Sequence, residues 1–549
     1  MRGLLITLAL CAPLSAQEAR YLSSGEVRAE FEALAGEYPG QVAIKPLPGG
    51  NPGLYAVWLG QGASGSVMLV LGSLRADELA PALACLELSR ELLKGGKPAG
   101  RVVIIPTPCG SAMNGPFATP PTCQPGLHHP LDDDRDGATD EDGPGDIDGD
   151  GAITQMRVRR DGGRYRVSAL DPRVLVKCKP GEPGGQYDLL WEGIDDDGDG
   201  TINEDPKGTV RLGNDFAIRW SDKQLGANRF PMLTAESGAI ADFLLENPRI
   251  CAALQLRSVG GKLVCAGGPP SGQAQPRARR AAAPAGEDVL ARDKQLYESW
   301  QKRMDGLLPG RDAPAPEPEG AGNVLDWLYE SAGIYAASWH MFRLPQEKEE
   351  KKERNEGKAA PEKRSPEEQA EINWLKYTPE DWREWKPFKH PQLGDVEIGG
   401  WAITARKDPK PADVAGLMEQ VTLQVNAMLM QMPRLAIDAV EKKALGEGLH
   451  RIRVTLANPG DIDYKPAFAA HNRIGLPVFV GLEESADVEL VSGTRRQRAE
   501  NVISGATVTF EWVVRVKDAA KELKFKVEAQ RTGDFTVSRA LNDCTEWKE

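Results

Sequence analysis

The 549-residue sequence predicts an α/β domain followed by a small antiparallel β-sandwich. Two observations lead to this fold class. Short apolar runs alternate with helical patterns over residues 23–110, whereas apolar and polar residues alternate one by one in the tail. With 41% hydrophobic and 27% charged residues, the composition is that of a globular protein. It excludes a membrane-embedded, collagenous or wholly disordered chain.

The N-terminus is typical of an export signal. Arg2 precedes an apolar run over 3–13, and Leu-Ser-Ala at 14–16 fits a cleavage site near Ala16. We therefore expect residues 1–16 to be a signal peptide and the mature chain to be periplasmic, cell-surface or secreted; a buried strand is the alternative. No other run is long enough to span a membrane, so membrane insertion is not expected. An oxidising compartment permits disulfides among the seven remaining cysteines, but their spacing does not give the pairing.

The first domain is predicted over residues 17–432. Apolar runs at 54–59, 67–71 and 102–106 are typical of buried strands, and a helical pattern separates the last two. Continuous apolar strands separated by helices imply a sheet that is covered on both faces. A Gly-, Pro- and Asp-rich insertion interrupts this pattern over 115–210, and a charged run over 346–370 predicts a solvated linker.

The tail, residues 433–549, has the period of strands. Apolar positions recur at every second residue over 452–456, 508–516 and 523–527. Short strands of this kind predict an antiparallel, immunoglobulin-like β-sandwich.

The acidic charge of the chain is confined to two segments. The formal net charge is −13, yet 132–150 holds ten acids with one arginine, and 195–205 holds six acids with no base. The rest of the chain is therefore close to neutral. This distribution excludes a general nucleic-acid binder.

The acidic segments contain the pattern D-x-D-x-D-G three times, ending at Gly137, Gly151 and Gly200. Alternate carboxylates in a tight loop converge on one point, and calcium takes six to eight oxygen ligands. The bidentate Glu of an EF-hand is absent at the twelfth place, so further ligands must come from neighbouring acids, amides or backbone oxygens. An acidic disordered loop is the alternative. The predicted calcium ligands are Asp132, Asp134, Asp136, Asp140, Asp146, Asp148, Asp150, Asp195, Asp197, Asp199, Asn203 and Glu204.

The order of these segments resembles that of the zinc carboxypeptidases, the carboxypeptidase A-like metallopeptidases. The similarity is strongest to an exported bacterial subgroup with a calcium-loop insertion and a C-terminal sandwich. The strings that carry it are D-I-D-G-D-G-A-I-T at 146–154, G-I-D-D-D-G-D-G-T-I-N-E-D-P at 193–206 and H-P-Q-L-G-D-V-E-I-G-G-W at 390–401. The resemblance implies a mixed sheet with the active-site cleft at its strand ends.

The family's zinc ligands are an H-x-x-E pair and a distant His. In G-S-L-R-A-D-E, Arg75 stands in the place of the His and Glu78 keeps the Glu; in L-Q-L-R-S, Arg257 stands in the place of the distant His. A guanidinium has no acceptor and stays protonated, so it cannot bind zinc. Zinc is therefore not expected as a cofactor.

The family's other functional residues are also replaced. His340 stands in the place of the Glu base, and Gly213 and Asn214 replace the Asn-Arg pair that grips the substrate carboxylate. Arg211 replaces an Asp of the same motif. We interpret His340 as structural and keep Arg211 and Asn214 as candidate substrate-binding residues.

These replacements predict a protein without the family's catalysis. Arg75 and Arg257 should flank Glu78 and leave one surplus positive charge, which would attract an anionic ligand such as a peptide carboxylate; a salt-bridged plug without a ligand is the alternative. The leading hypothesis is an exported, calcium-stabilised binder of peptides or proteins. One rival is an active metallocarboxypeptidase with relocated ligands: His340, Glu78 and either His128 or His129. The other rival is a structural cell-surface module.

Overall fold

The structure is a computed structural model of the whole chain. It describes residues 19–49, 51, 53–60, 65–94, 96, 98–130, 137–179, 181–220, 230–266, 287–308, 320–344, 365–517 and 522–547. The predicted signal peptide, residues 1–16, lies outside this range.

The described helices begin and end as follows: α1 Ser24–Glu37, α2 Ala80–Lys94, α3 Ala235–Glu246, α4 Glu287–Asp305, α5 Val324–Glu330, α6 Pro366–Tyr377, α7 Pro411–Gln431 and α8 Ala467–His471. Local chemistry explains several of the starts. Ser23 and Glu26 form a reciprocal capping box at α1, Thr234 caps α3, and Ser365 caps α6 just before Pro366. In the described range, none of the helices has the length and apolar composition needed to cross a bilayer.

The strands are β1 Val42–Pro46, β2 Tyr55–Leu59, β3 Val67–Leu71, β4 Arg101–Ile105, β5 Leu127–His128, β6 Gln155–Arg159, β7 Tyr165–Val167, β8 Leu175–Lys177, β9 Tyr187–Trp191, β10 Thr209–Val210, β11 Ile250–Val259, β12 Lys262–Cys265, β13 Tyr335–Phe342, β14 Trp382–His390, β15 Gly394–Trp401, β16 Ala436–Gly446, β17 Leu449–Ala457, β18 Val478–Glu483, β19 Val488–Ser492, β20 Arg496–Ala499, β21 Thr507–Val516, β22 Glu522–Glu528, β23 Phe535–Ala540 and β24 Thr545–Glu546.

A seven-stranded mixed sheet forms the centre of the first domain, in the order β1-β2-β4-β3-β11-β13-β12. The inner strands β4, β3, β11 and β13 run parallel. Every residue of β3 is buried, so both faces of the sheet are covered. The apolar runs that predicted β2, β3 and β4 lie in these strands, and the expected mixed sheet with helices is confirmed.

The Asp-rich insertion builds a second sheet together with a distant hairpin. Its six strands follow the order β14-β15-β6-β9-β7-β8, and β15 pairs antiparallel to β6 through Ile398 and Met156. Two strands of this sheet, β14 and β15, come from residues 382–401, outside the insertion predicted over 115–210. The charged linker predicted over 346–370 also ends earlier: its last residues belong to α6, and 346–364 lie outside the described range.

The tail consists of a five-stranded sheet, β19-β21-β17-β16-β24, and a four-stranded sheet, β20-β18-β22-β23. One hydrophobic cluster joins the two sheets, and Trp512 and Phe525 lie within it with their rings 6.1 Å apart. The alternating apolar positions of the tail point into this cluster.

Polar contacts join the tail to the first domain. The buried Arg531 donates to the carbonyl of Ile250, and its Nη2 donates to the carbonyls of Ala332 (2.7 Å) and Gly333 (2.9 Å). The carboxylate of Asp293 in α4 accepts the Ala467 amide of α8 at 2.9 Å. All seven cysteines of the described chain are free thiols.

Candidate functional site

Three parallel strands end at one edge of the mixed sheet. The chain leaves β3 at Leu71 and passes through Arg75 and Glu78 before α2, while β11 and β13 end close by. Arg257 and His340 are partners in the parallel register of β11 and β13, so their side chains lie on the same face of the sheet. The structure therefore brings the three altered positions, Arg75, Arg257 and His340, to this edge together with the retained Glu78.

Glu78 is held by both arginines. Arg257 donates from Nη2 to Oε1 at 2.8 Å and from Nε to Oε2 at 3.0 Å. Arg75 Nε lies 3.3 Å from Oε1, and the Ser258 amide donates to Oε2 at 3.0 Å. Only 11% of the Glu78 side chain is exposed, against 15% for Arg257 and 22% for Arg75. The predicted Arg–Glu–Arg cluster is therefore present.

The charge of Glu78 is stabilised in this setting. Burial by itself would raise the pKa of the Glu78 carboxyl, but the charge and hydrogen bonds of Arg257, followed by the charge of Arg75, hold that pKa below its ordinary value. Glu78 is thus a buried carboxylate that stays ionised at neutral pH.

Asp77 was not predicted to take part, yet it is the main partner of Arg75. Arg75 donates to its two oxygens at 2.9 and 2.8 Å, and Lys407 Nζ donates to Oδ2 at 3.0 Å. Asp77 is 2% exposed, and although burial acts to raise its pKa, Arg75 and Lys407 lower it. Asp77 and Lys407 add one negative and one positive charge, so these five groups together still carry one surplus positive charge.

A third carboxyl group completes the cluster. Asp408 accepts the amides of Leu79 and Ala80, each at 2.9 Å, and also the Ser258 hydroxyl. It thereby caps the N-terminus of α2 from a segment more than 300 residues away in sequence. Burial raises the pKa of Asp408 to about 7. Three cationic and three carboxyl groups thus meet at this edge.

His340 is packed beneath the β11–β12 turn. Its Nδ1 lies 3.0 Å from the carbonyl of Val259, and a carbonyl only accepts, so Nδ1 carries a proton. Gly260, at φ +143°, leaves room for the ring: a Cβ at this position would lie 2.8 Å from Nδ1. The structural role predicted for His340 agrees with this packing.

A buried polar layer lies two residues before Arg257 and His340 along the same two strands. Gln255 and Ser338 are partners in the same two strands, and Ser73 follows β3. All three are at most 1% exposed, and within the described chain Gln255 Oε1 and both hydroxyls have no hydrogen-bond partner. This layer was not predicted, because polar residues in apolar runs are identified only once the strand register is known.

Arg211 and Asn214 lie at a short 3-10 turn, Leu212–Asn214, beside the cluster. A Cβ on Gly213 would lie 3.7 Å from Leu74 Cβ, which places the turn against the segment that carries Arg75. The Asn214 amide donates to the Ala321 carbonyl at 3.4 Å. The substrate-binding role of Arg211 and Asn214 stays a prediction.

The two described D-x-D-x-D-G loops are wound alike. Asp146 accepts the amides of Gly149 and Gly151, at 2.8 and 2.9 Å. In the other loop Asp195 accepts the amides of Gly198 and Gly200 in the same way, at 2.6 and 3.0 Å. Gly151 and Gly200 both have positive φ, as the sharp turn requires.

Two acidic groups in the described chain could hold a metal ion. One consists of Asp195, Asp197 and Asp199, as predicted; the other consists of Asp146, Asp148 and the unpredicted Glu192, without Asp150. Each group offers ligand atoms within 4.8 Å of one another. Asp132, Asp134 and Asp136 lie outside the described residues.

Glu192 contributes the third carboxylate of the group that contains Asp146 and Asp148. It is fully buried, and its oxygens accept the amides of Ile147 at 2.8 Å and Thr154 at 2.9 Å. Burial raises the pKa of Glu192. It reaches the loop because β9, which it follows, pairs with β6, which follows the loop. The sequence alone does not mark Glu192 as a ligand, because its approach to the loop depends on the pairing of β9 with β6.

Other polar residues of the insertion, among them the predicted ligands Asn203, Glu204 and Asp140, lie next to the loops. Buried Asp142 accepts the amides of Asp196 and Asn203, each at 3.0 Å, and so ties the two acidic segments together. Both oxygens of Glu204 are shielded without a hydrogen-bond partner within the described chain, and burial raises its pKa to about 7. Asp140 accepts the Gly208 amide at 2.6 Å.

The relocated zinc site is not assembled. His128 Nε2 lies 2.7 Å from Asp140 Oδ2. The metal-capable groups of the described residues contain only carboxylates, with no histidine among them. The ligand set of His340, Glu78 and His128 or His129 therefore has no support in the geometry.

Comparison with known proteins gives one family match and several solved structures. Residues 434–539 match a domain of unknown function (DUF8731). No curated protein matches the chain. Bovine thrombin-activatable fibrinolysis inhibitor, solved in complex with tick carboxypeptidase inhibitor, is similar at 14% identity and a TM-score of 0.36 over 59% of this chain and 86% of that chain.

Two carboxypeptidases are similar at comparable levels. The carboxypeptidase A from Helicoverpa armigera matches at 12% identity and a TM-score of 0.40, over 75% of this chain and 74% of that chain. The putative carboxypeptidase A from Shewanella denitrificans matches at 10% identity and a TM-score of 0.32, over 74% of this chain and 68% of that chain.

Proposed function

We propose that this chain is an exported, carboxypeptidase-like protein that has lost the zinc site and the general base and binds peptides or proteins without cleaving them. The observation that carries the proposal is the state of Glu78. Both of its oxygens accept hydrogen bonds from Arg257, and Arg75 lies beside one of them. The one surviving zinc ligand of the motif is thus already engaged by two cations.

The donor set does not fit zinc. Zinc in a catalytic site needs three protein ligands with free electron pairs. Arg75 and Arg257 have none, and their charges would repel a dication placed next to Glu78. His340 uses its Nδ1 proton on a backbone carbonyl, and it is not a carboxylate base. Zinc-assisted hydrolysis is therefore not expected at this edge of the sheet.

The ligand that suits the site is the carboxylate end of a peptide. Lys407 is 38% exposed, and Arg75 is the more exposed of the two arginines, so these two cations form the accessible side of the cluster. Cationic hydrogen-bond donors bind a carboxylate strongly when water is partly excluded. A free peptide C-terminus should therefore bind, and its amidated form should bind more weakly.

We also propose that the two loops bind calcium and stabilise the fold. Each metal-capable group holds three carboxylates, an oxygen-only donor set of the kind that calcium prefers. Without a cation these carboxylates repel one another, and burial together with neighbouring aspartates raises the pKa of both Asp148 and Asp197. The role is structural, because the loops adjoin β6 and β9 of the six-stranded sheet.

Export is likewise our proposal, and it rests on residues 1–16. N-terminal sequencing of the mature protein from outside the cytoplasm should give a start near Gln17. A start at Met1 would contradict it.

Metal analysis combined with a C-terminal release assay tests the lost zinc site. The wild-type protein should retain no stoichiometric zinc and release no terminal residues. The double variant Arg75→His/Arg257→His restores the family's ligand types and should gain zinc, whereas Arg383→His, at an exposed arginine of β14, should not. Stoichiometric zinc in the wild type, with chelator-sensitive release, would instead establish an active metallocarboxypeptidase.

Peptide titration separates a binder from a structural module. The full-length protein should bind a peptide with a free C-terminus, and Arg75→Gln/Lys407→Gln should weaken this binding. Equal affinity for free and amidated peptides would show that the cluster does not recognise the peptide carboxylate. Absence of binding to either would favour the structural cell-surface module.

A further inference from the structure

A cavity of about 430 Å³ lies between the mixed sheet and the tail. Its walls come from Trp58, Val67 and Arg101 of the sheet, from residues 246–249 after α3, and from tail segments at 530 and 533–534. Val67 and Arg101 are the first residues of β3 and β4. The cavity is thus at the amino edge of the parallel strands, opposite to the edge that carries Glu78.

Two arginines without an acidic partner line this cavity. In the part of the chain that the structure describes, neither Arg101 nor Arg249 forms an ion pair. The Nε of Arg101 is shielded from solvent and has no acceptor among the described residues. Burial and then the charge of Arg249 lower the pKa of Arg101.

The surroundings hold both guanidiniums in place. The Arg101 guanidinium lies 5.3 Å from the ring centroid of Trp58. Arg249 fits against Gly533, where an added Cβ would lie 3.0 Å from Nη2. Within the described residues, the Trp58 Nε1–H is also buried without an acceptor. The cavity therefore offers hydrogen-bond donors that the surrounding chain does not satisfy.

The acids of the cavity do not satisfy these donors. Glu246 and Asp534 are exposed, whereas Arg101 and Arg249 are partly buried. Asp534 uses Oδ1 to accept the Ala529 amide at 2.8 Å. The cationic groups thus form the inner part of the cavity and the acidic groups its solvent side.

We propose that this cavity binds a tetrahedral dianion, phosphate or sulfate, either free or as an ester. Guanidinium groups bind such oxoanions through paired, charge-assisted hydrogen bonds. A dianion matches the two positive charges and relieves their repulsion. This inference does not depend on the proposed peptide-binding function, because the two sites lie at opposite edges of the sheet.

A bound anion would also join two parts of the chain. Arg101 belongs to the mixed sheet, and Gly533 belongs to the segment that matches the domain of unknown function. Phosphate should therefore stabilise the contact between the tail and the first domain.

Isothermal titration of the full-length protein with inorganic phosphate, at constant ionic strength, tests the proposal. Saturable binding is expected, and Arg249→Gln and Arg101→Gln should each lower the affinity at least tenfold. Arg383→Gln, at an exposed arginine outside the cavity, should leave the affinity unchanged. Circular dichroism of each variant shows whether it is folded, and Arg249→Gln gives the decisive result if Arg101→Gln does not fold.

Further titrations define the ligand. Sulfate should compete with phosphate, and acetate should bind at least tenfold more weakly. A phosphate monoester such as phosphoserine distinguishes an ester from the free ion by its relative affinity. Absence of saturable phosphate binding, unchanged affinity in Arg249→Gln, or equal affinity for acetate would overturn the proposal.

Discussion

Replacing Glu78 by Gln removes the central negative charge of the arginine cluster while keeping the size of the side chain. Arg257 is then left 15% exposed without its bidentate partner. Removing one member of a buried ion pair costs about 3–5 kcal/mol of the free energy of unfolding. Asp77 and Asp408 still offset part of the positive charge, and a Gln oxygen can accept the Ser258 amide, so we expect a cost at the lower end, about 3 kcal/mol.

A surface pair provides the matched control. Glu32 pairs with Arg28 at 2.9 Å in α1, and 55% of its side chain is exposed. Glu32→Gln should therefore cost only about 0.3–0.5 kcal/mol. The double variant Glu78→Leu/Arg257→Leu should be less destabilised than Glu78→Gln, because it removes both members of the ion pair together.

Hydrogen–deuterium exchange and urea unfolding measure these effects. The Ser258 amide donates to Glu78 Oε2, so its exchange should accelerate in Glu78→Gln along with a lower urea midpoint. The pKa of Glu78 is lowered in the folded chain, so its contribution is present above the ordinary value of 4.5 and is lost as the pH falls through the folded pKa. A cost no larger than that of Glu32→Gln at pH 7 would refute Glu78 as the counter-ion of the arginines.

Three further predictions concern the loops, Asp408 and Gly260. Chelation of calcium should lower the melting midpoint, and an unchanged midpoint would exclude structural calcium sites. Asp195→Asn should reduce the recovery of the midpoint when calcium is added back, whereas Asp161→Asn, at an exposed acid outside the metal-capable groups, should not. The folded pKa of Asp408 is about 7 and its ordinary value is 3.8, so its contribution to stability declines as the pH rises between these values. Urea unfolding curves of Asp408→Asn should lack this decline, and parallel pH profiles for the wild type and the variant would contradict the prediction. Gly260→Ala should lower the melting midpoint by crowding His340, whereas Gly238→Ala in α3, where a Cβ meets nothing within 4 Å, should raise it slightly. Equal midpoints for the two variants would show that the β11–β12 turn is not tight.

The sequence motifs predicted the centre of the site but not its surroundings. Arg75, Glu78 and Arg257 were placed together because two motifs, separated by more than the whole acidic insertion, each retain enough of their pattern to be aligned. Asp77 stands next to Glu78, yet its pairing with Lys407 depends on how the segment after β15 folds back over α2. Asp408 caps that helix from the same segment. Such partners are set by tertiary packing, and no local pattern marks them.

The acidic loops likewise combine local features that the sequence predicts with long-range contacts that it does not. The D-x-D-x-D-G spacing fixes the turn and its glycines, because these depend only on local backbone geometry. Glu192 enters the first group through the antiparallel pairing of β6 with β9. The pairing of the insertion with β15 is likewise a long-range contact that apolar periodicity does not reveal.

Arg531 has a consequence for anyone who dissects this protein into pieces. Cutting the chain near residue 433 would remove the guanidinium that serves three backbone carbonyls of the preceding domain, one of them at the start of β11. The shortened protein would expose those acceptors together with the surface that α8 covers. Point substitutions in the intact polypeptide, rather than excised fragments, are therefore the sound way to assign roles to its two halves.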